Sequence, residues 1–135
     1  MDERPGREKR RILVAEDHPM NRKVACLMLE WLGYHVDAVN DGHAAIAAWE
    51  TGRYDLILLD CRMPGLNGYE AAREIRSREQ VERHIPIVAL TAHAMAGAEL
   101  KCKAVGMDDY IPKPVDRKRL EGCLKRFLAS ADAGQ

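Results

Sequence analysis

Apolar positions along the chain switch between two periods. Residues 12–15 form a short, wholly apolar run, which predicts a strand buried on both faces. Val24, Leu27, Met28, Trp31 and Leu32 then follow the spacing of an amphipathic helix face, with Pro19 suited to its first turn and Gly33 to its C-terminal cap. Residues 34–39 alternate, with His35 and Asp37 between Tyr34, Val36 and Ala38, which predicts a less buried edge strand. Ala45, Ala48 and Trp49 predict a second helix stopping near Gly52, and residues 56–59 are again wholly apolar. Asn67 and Glu70 stand at capping-box spacing, which predicts a third helix running to about residue 78.

Residues 85–90 predict a fourth strand, with Pro86 tolerated only near its start. Residues 94–105 predict a helix with a weak stripe (Met95, Ala98, Cys102, Val105) closed by Gly106. Residues 109–111 predict a short fifth strand, and Leu120, Cys123, Leu124, Phe127 and Leu128 the face of a last helix. Five strands alternating with five helices imply an α/β domain on a parallel sheet with right-handed crossovers. The first, third and fourth runs are the most apolar and belong inside; the second and fifth belong at the edges. That gives the flavodoxin-like (βα)5 order 2-1-3-4-5, in which ligands bind beyond the carboxyl ends of the strands.

The residues at those ends carry the chemistry. Glu16 and Asp17 follow the first strand, Asp60 ends the third, Thr91 follows the fourth and Lys113 follows the fifth. Three crowded carboxylates repel one another unless a cation is present. Hard oxygen ligands in a partly open site favour Mg²⁺, with Mn²⁺ as a substitute. Lys113 supplies a point charge at the same edge, and Pro114 after it makes a cis Lys113–Pro114 bond an expectation. Thr91 offers a hydroxyl to a phosphoryl oxygen.

A chain of 135 residues suits one domain. Its 21 Lys and Arg balance 21 Asp and Glu, so no overall field recruits nucleic acid or an anionic membrane. The basic excess lies at the start, and residues 1–10 read as a solvated tail, with residues 130–135 as a small, polar, fraying one. Cys26, Cys61, Cys102 and Cys123 show neither a CxxC pair nor metal-ligand spacing; Cys26 and Cys123 read as core fillers and Cys61 as an inert thiol. No signal peptide or membrane-length apolar run is visible, which points to a reducing cytoplasm. No DNA-binding segment is expected after the last helix.

The motifs AED at 15–17, LLDCRMPGLNGYE at 58–70, ALTAHA at 89–94 and DDYIPKPV at 108–115 resemble those of a receiver domain of a two-component response regulator, over residues 11–129. They are most similar to receivers attached to hybrid sensor histidine kinases. The resemblance implies that Asp60 accepts a phosphoryl group from a phospho-histidine on a histidine kinase or histidine phosphotransfer domain. Asp17 and Asp60 would hold Mg²⁺ directly, Glu16 through water, and Arg62 by its backbone carbonyl. Lys113 would pair with the phosphoryl group and Thr91 would hydrogen-bond it, vacating space into which Tyr110 turns. A downstream protein would read the change on the face of the fourth helix, fifth strand and fifth helix. Mg²⁺-dependent self-phosphorylation and autodephosphorylation are implied, rather than stand-alone metabolic catalysis. Arg62 and His93 vary among similar receivers and are candidate modulators at the site entrance.

Other chemistries fit less well. A dehalogenase-like phosphatase needs a second acid two residues after its nucleophile, where this chain has Arg62. An FMN binder needs a Ser/Thr/Gly-rich phosphate loop after the first strand, where this chain has EDHPMN, and GxGxxG is absent. The alternative is a receiver-like interaction module that transfers no phosphate.

Overall fold

The computed structural model describes residues 10–80, 82–92 and 97–129. Its strands are β1 (Arg11–Ala15), β2 (His35–Val39), β3 (Leu56–Asp60), β4 (Ile87–Thr91) and β5 (Asp109–Pro112). Between and after them lie α1 (Pro19–Trp31), α2 (Gly42–Glu50), α3 (Gly68–Arg78), α4 (Ala98–Ala104) and α5 (Arg117–Leu124), the last continued by a π-helical turn, Lys125–Ala129. All strand pairs are parallel, in the order 2-1-3-4-5. The expected topology is the observed one.

Alternation along the interior strands divides the core in two. Leu13, Ala15, Ile57, Leu59, Ile87 and Ala89 face α2, α3 and α4. Ile12, Val14, Leu56, Leu58, Val88 and Leu90 face α1 and α5. Every residue of β3 and β4 is buried. Fully burying each Leu or Ile contributes about 1.5–3 kcal/mol relative to exposure, so these strands form a stiff platform for whatever stands at their ends.

The helix starts follow local chemistry. Asp41 and Asp116 cap α2 and α5 by accepting from Ala44 and Arg119 amides, and Asn67 with Glu70 forms the expected capping box of α3. Pro19 opens α1, and Gly33 follows its end at φ +101°. The Lys113–Pro114 bond is cis.

Two expectations are corrected. β4 begins at Ile87, not residue 85, because Pro86 has no N–H to give the ladder; its carbonyl instead accepts from Ile57 N. The face expected for α1 meets the core only at Met28 and Leu32. Ala25 and Leu29 are buried, whereas Trp31 is 70% exposed, Leu27 55% and Val24 40%. The helix is apolar on adjacent faces, and burial follows the one that meets β1 and β3. Of the expected fourth helix, the described residues 97–105 bury Ala98, Cys102 and Val105, while Met95 lies outside the described residues.

Candidate active site

Strand register brings the acids together. Ala15 pairs with Leu59 and Asp60 with Leu90, so Glu16, one residue past β1, comes level with Asp60. Thr91 pairs with Pro112, which leaves Lys113 one step beyond β5 at the same edge. α3 can lie close beneath Asp60 because residue 68 is glycine. A Cβ there would stand 2.2 Å from the Asp60 carbonyl oxygen. Sequence reasoning took Gly68 only as part of a motif; its place directly after the capping Asn67 was the available signal.

Oxygens of Glu16, Asp17 and Asp60 all lie within 4.8 Å of one another. Lys113 Nζ lies 2.9 Å from Glu16 Oε1 and 2.9 Å from Asp60 Oδ2. Glu16 and Asp60 are buried, Asp17 is exposed, and the Lys113 side chain is 19% exposed. The Arg62 amide donates to Asp60 Oδ1 at 3.1 Å, and the His18 amide to Glu16 Oε2 at 3.2 Å. Lys113 N donates to the Thr91 carbonyl at 2.7 Å, which ties the lysine to the end of β4.

Carboxylates outnumber the single lysine at this edge. Burial first, then the hydrogen bond from its side chain to Asp60, raises the Glu16 carboxyl above its ordinary range, against the pull of Lys113. Burial opposes the Lys113 ammonium, but its bonds with Glu16 and Asp60 outweigh that and its pKa is raised. One lysine thus compensates a group of three acids incompletely. The donor set is hard oxygen, partly open to solvent through Asp17, and it fits Mg²⁺.

Around this centre, Thr91 is buried at the end of β4 and the Arg62 side chain is exposed. Arg62 shares a shallow cleft of about 380 Å³ with Asp17, Cys61, Met63, Pro64 and Asn67. Tyr110 is half-buried against the core on the α4 side; Arg119 of α5 donates to its carbonyl at 2.8 Å and sits 5.6 Å from its ring. Burial pushes the Cys61 thiol up, which leaves it in its unreactive form. His93 lies outside the described residues. A larger cleft, about 950 Å³, opens at the opposite end of the sheet among Trp49, Tyr54, Arg78, His84 and Phe127, away from the acids.

Two features escaped the sequence reading. Arg22 donates to the backbone carbonyls of Glu16 and Asp17, at 3.1 and 3.4 Å. Met20, Val24, Leu27 and Trp31 line up along exposed α1, and Arg117 stacks 4.5 Å from the Trp31 ring. The i, i+4, i+7, i+11 spacing of that row was legible but equally compatible with a buried face.

Residues 12–125 match the response regulator receiver domain family. Histidine kinase 1 of Arabidopsis thaliana is 44% identical over 80% of this chain, and the sensor histidine kinase GacS of Pseudomonas protegens 42% identical over 90%. The chain spans only 12% and 13% of the length of these two relatives. Among solved structures, the receiver domain of a sensor histidine kinase from Pseudomonas aeruginosa is 46% identical, with a TM-score of 0.82 over 90% of this chain and 98% of that one. That receiver has a magnesium ion coordinated in its active site cleft. The receiver domain of Ssk1 from Saccharomyces cerevisiae, solved with the histidine phosphotransfer protein Ypd1, is 28% identical, with a TM-score of 0.81 over 89% of each chain. Among the described residues, no helix is long and apolar enough to cross a membrane.

Proposed function

The chain belongs to the response regulator receiver family, and on that premise we propose that Asp60 is its phosphoryl acceptor in a phosphorelay. The observation that carries this reading is the Lys113 ammonium at 2.9 Å from both Glu16 and Asp60 in an otherwise acidic pocket. Asp17 and Asp60, with Glu16 and the Arg62 backbone carbonyl, would hold Mg²⁺. Bound there, Mg²⁺ supplies positive charge that offsets the acids and the phosphoryl oxygens.

The protein's own residues do the rest. An Asp60 oxygen attacks the phosphorus of a phospho-histidine, the N–P bond breaks as the O–P bond forms, and the imidazole leaves. A carboxylate is a weak nucleophile toward phosphorus, so positioning and charge neutralisation carry most of the acceleration. The Arg62 amide and Lys113 fix the two oxygens of Asp60. Lys113 then pairs with the phosphoryl group, Thr91 donates its hydroxyl to it, and Tyr110 turns into the space vacated.

The donor is a histidine kinase or a histidine phosphotransfer domain. Met20, the first residue of the exposed α1 row, lies three residues past Asp17, so a carrier bringing histidine to Asp60 rests on that row. The downstream reader takes the face of α4, β5 and α5. Residues 11–129 form the working unit, in a reducing cytoplasm in keeping with four free cysteines. Incubation with acetyl phosphate tests the reading: the intact protein gains an alkali- and hydroxylamine-labile phosphoryl group with Mg²⁺ and none with EDTA. Absence of that gain with Mg²⁺ would leave an interaction module.

A further inference from the structure

Consecutive side chains of a strand point to opposite faces. Glu16 and Asp17 are consecutive, yet both place an oxygen in the cluster with Asp60. The chain must therefore leave strand geometry at this point. β1 makes its last ladder pairs at Ala15, with Val39 and Leu59, and the Glu16 amide still reaches the Val39 carbonyl at 3.1 Å. The carbonyls of Glu16 and Asp17 have turned out of the ladder and need partners of their own. Both find the same atom: Nη1 of Arg22, in the first turn of α1, at 3.1 Å and 3.4 Å.

We propose that Arg22 is a positioning residue for the cation site, holding from outside the two peptide planes whose orientation makes the Glu16 and Asp17 carboxylates converge inside. The proposal rests on the reading that these acids hold a divalent cation. Arg22 is a positioning residue and touches neither the phosphoryl group nor the metal. From the inside the same turn is held by the His18 amide and Lys113, both on the Glu16 carboxylate. Without Arg22 the Asp17 peptide is free to rotate, and the preorganised pair becomes one fixed acid and one mobile one.

The sign of the effect separates positioning from simple charge. As a nearby cation Arg22 repels Mg²⁺, so on charge alone its removal strengthens Mg²⁺ binding. As a brace, its removal weakens binding. The test is a MgCl₂ titration followed by ¹⁵N NMR at the amides of residues 16–18 and 60–62, for wild type, Arg22→Met and Arg22→Lys. Arg22→Met keeps the aliphatic stem and loses the donor, and it is expected to weaken Mg²⁺ binding about fivefold, the loss of a modest hydrogen-bonded brace. Arg22→Lys restores binding to within about twofold, since one nitrogen serves both carbonyls and an ammonium carries several donors. In the cation-free spectra the shift changes stay near residues 15–22 and 60–62. Mg²⁺ binding by Arg22→Met that equals or exceeds wild type overturns the proposal, as does failure of Arg22→Lys to restore it or shift changes spread through β3 and β4. A wild type with no Mg²⁺ response at these amides overturns the functional reading as well, so the two failures are distinguishable.

Discussion

Lys113 Nζ bridges Asp60 Oδ2 and Glu16 Oε1 at 2.9 Å each, and the bridge leaves Glu16 under-compensated. Because the folded-state pKa of Glu16 is raised, its contribution to stability is fully present below the ordinary value of 4.5 and is lost as pH rises through the folded value. In the metal-free fold, ionising Glu16 is therefore a cost. Glu16→Gln is expected to raise the EDTA unfolding midpoint by a few degrees at pH 7, with the gain shrinking as pH falls toward 4. Mg²⁺ should then stabilise wild type more than the variant. Thermal scans across pH with EDTA and with Mg²⁺ check this; a variant less stable than wild type at pH 7 in EDTA would contradict it.

Arg62 stands exposed at the mouth of the cleft, two residues past Asp60. A charge-assisted hydrogen bond from its guanidinium to a phosphoryl oxygen would stabilise the acyl phosphate and crowd the attacking water. Solvent exposure cuts that bond well below its buried worth, so Arg62→Ala should shorten the phosphorylated lifetime by about threefold. Decay followed at fixed pH and Mg²⁺ decides the matter, and equal or slower decay would make Arg62 a bystander.

Thr91→Ala should still accept phosphate, because the acids and Lys113 are untouched. It should fail to move Tyr110, since the hydroxyl that the phosphoryl group draws inward is gone. NMR of the Tyr110 ring with and without beryllofluoride reads this directly. A wild-type change in the Thr91→Ala protein would disconnect the two residues.

Exposed apolar side chains on α1 carry a prediction about the donor. Trp31→Ala and Leu27→Asp should leave the fold and acetyl phosphate labelling unchanged, because both positions face solvent. Transfer from a cognate phospho-histidine protein should slow about tenfold, the scale of an interface anchor. Equal slowing with both donors would mean that the substitutions disturb the site and not the docking.

Which parts of this were legible in the sequence follows from physics. Wholly apolar runs such as residues 56–59 can only be interior strands beside helical repeats, so sheet order came through. Asp60 stands directly after such a run and Lys113 just after the short fifth strand, so both could be placed at one edge without coordinates. The core face of α1 is ambiguous in the sequence because residues 24–29 are all apolar, and period alone cannot choose between Leu27 and Leu29 when both fit a helix face. Pro86 stands at the start of the expected strand, and its missing donor moves the first residue of β4 to Ile87. Arg22 was silent, because its partners are backbone carbonyls, which every residue carries. Gly68 declares its role only once the Asp60 carbonyl is seen 2.2 Å from where a Cβ would be.

The most direct test of the account is phosphotransfer to Asp60→Asn. Asparagine keeps the size of the side chain and its bond to the Arg62 amide while removing the nucleophilic carboxylate. With Mg²⁺ and a phospho-histidine donor, wild type should become labelled and Asp60→Asn should show no label above background, with both proteins folded by NMR. Labelling of Asp60→Asn at the wild-type level would contradict the account and place the phosphoryl group elsewhere.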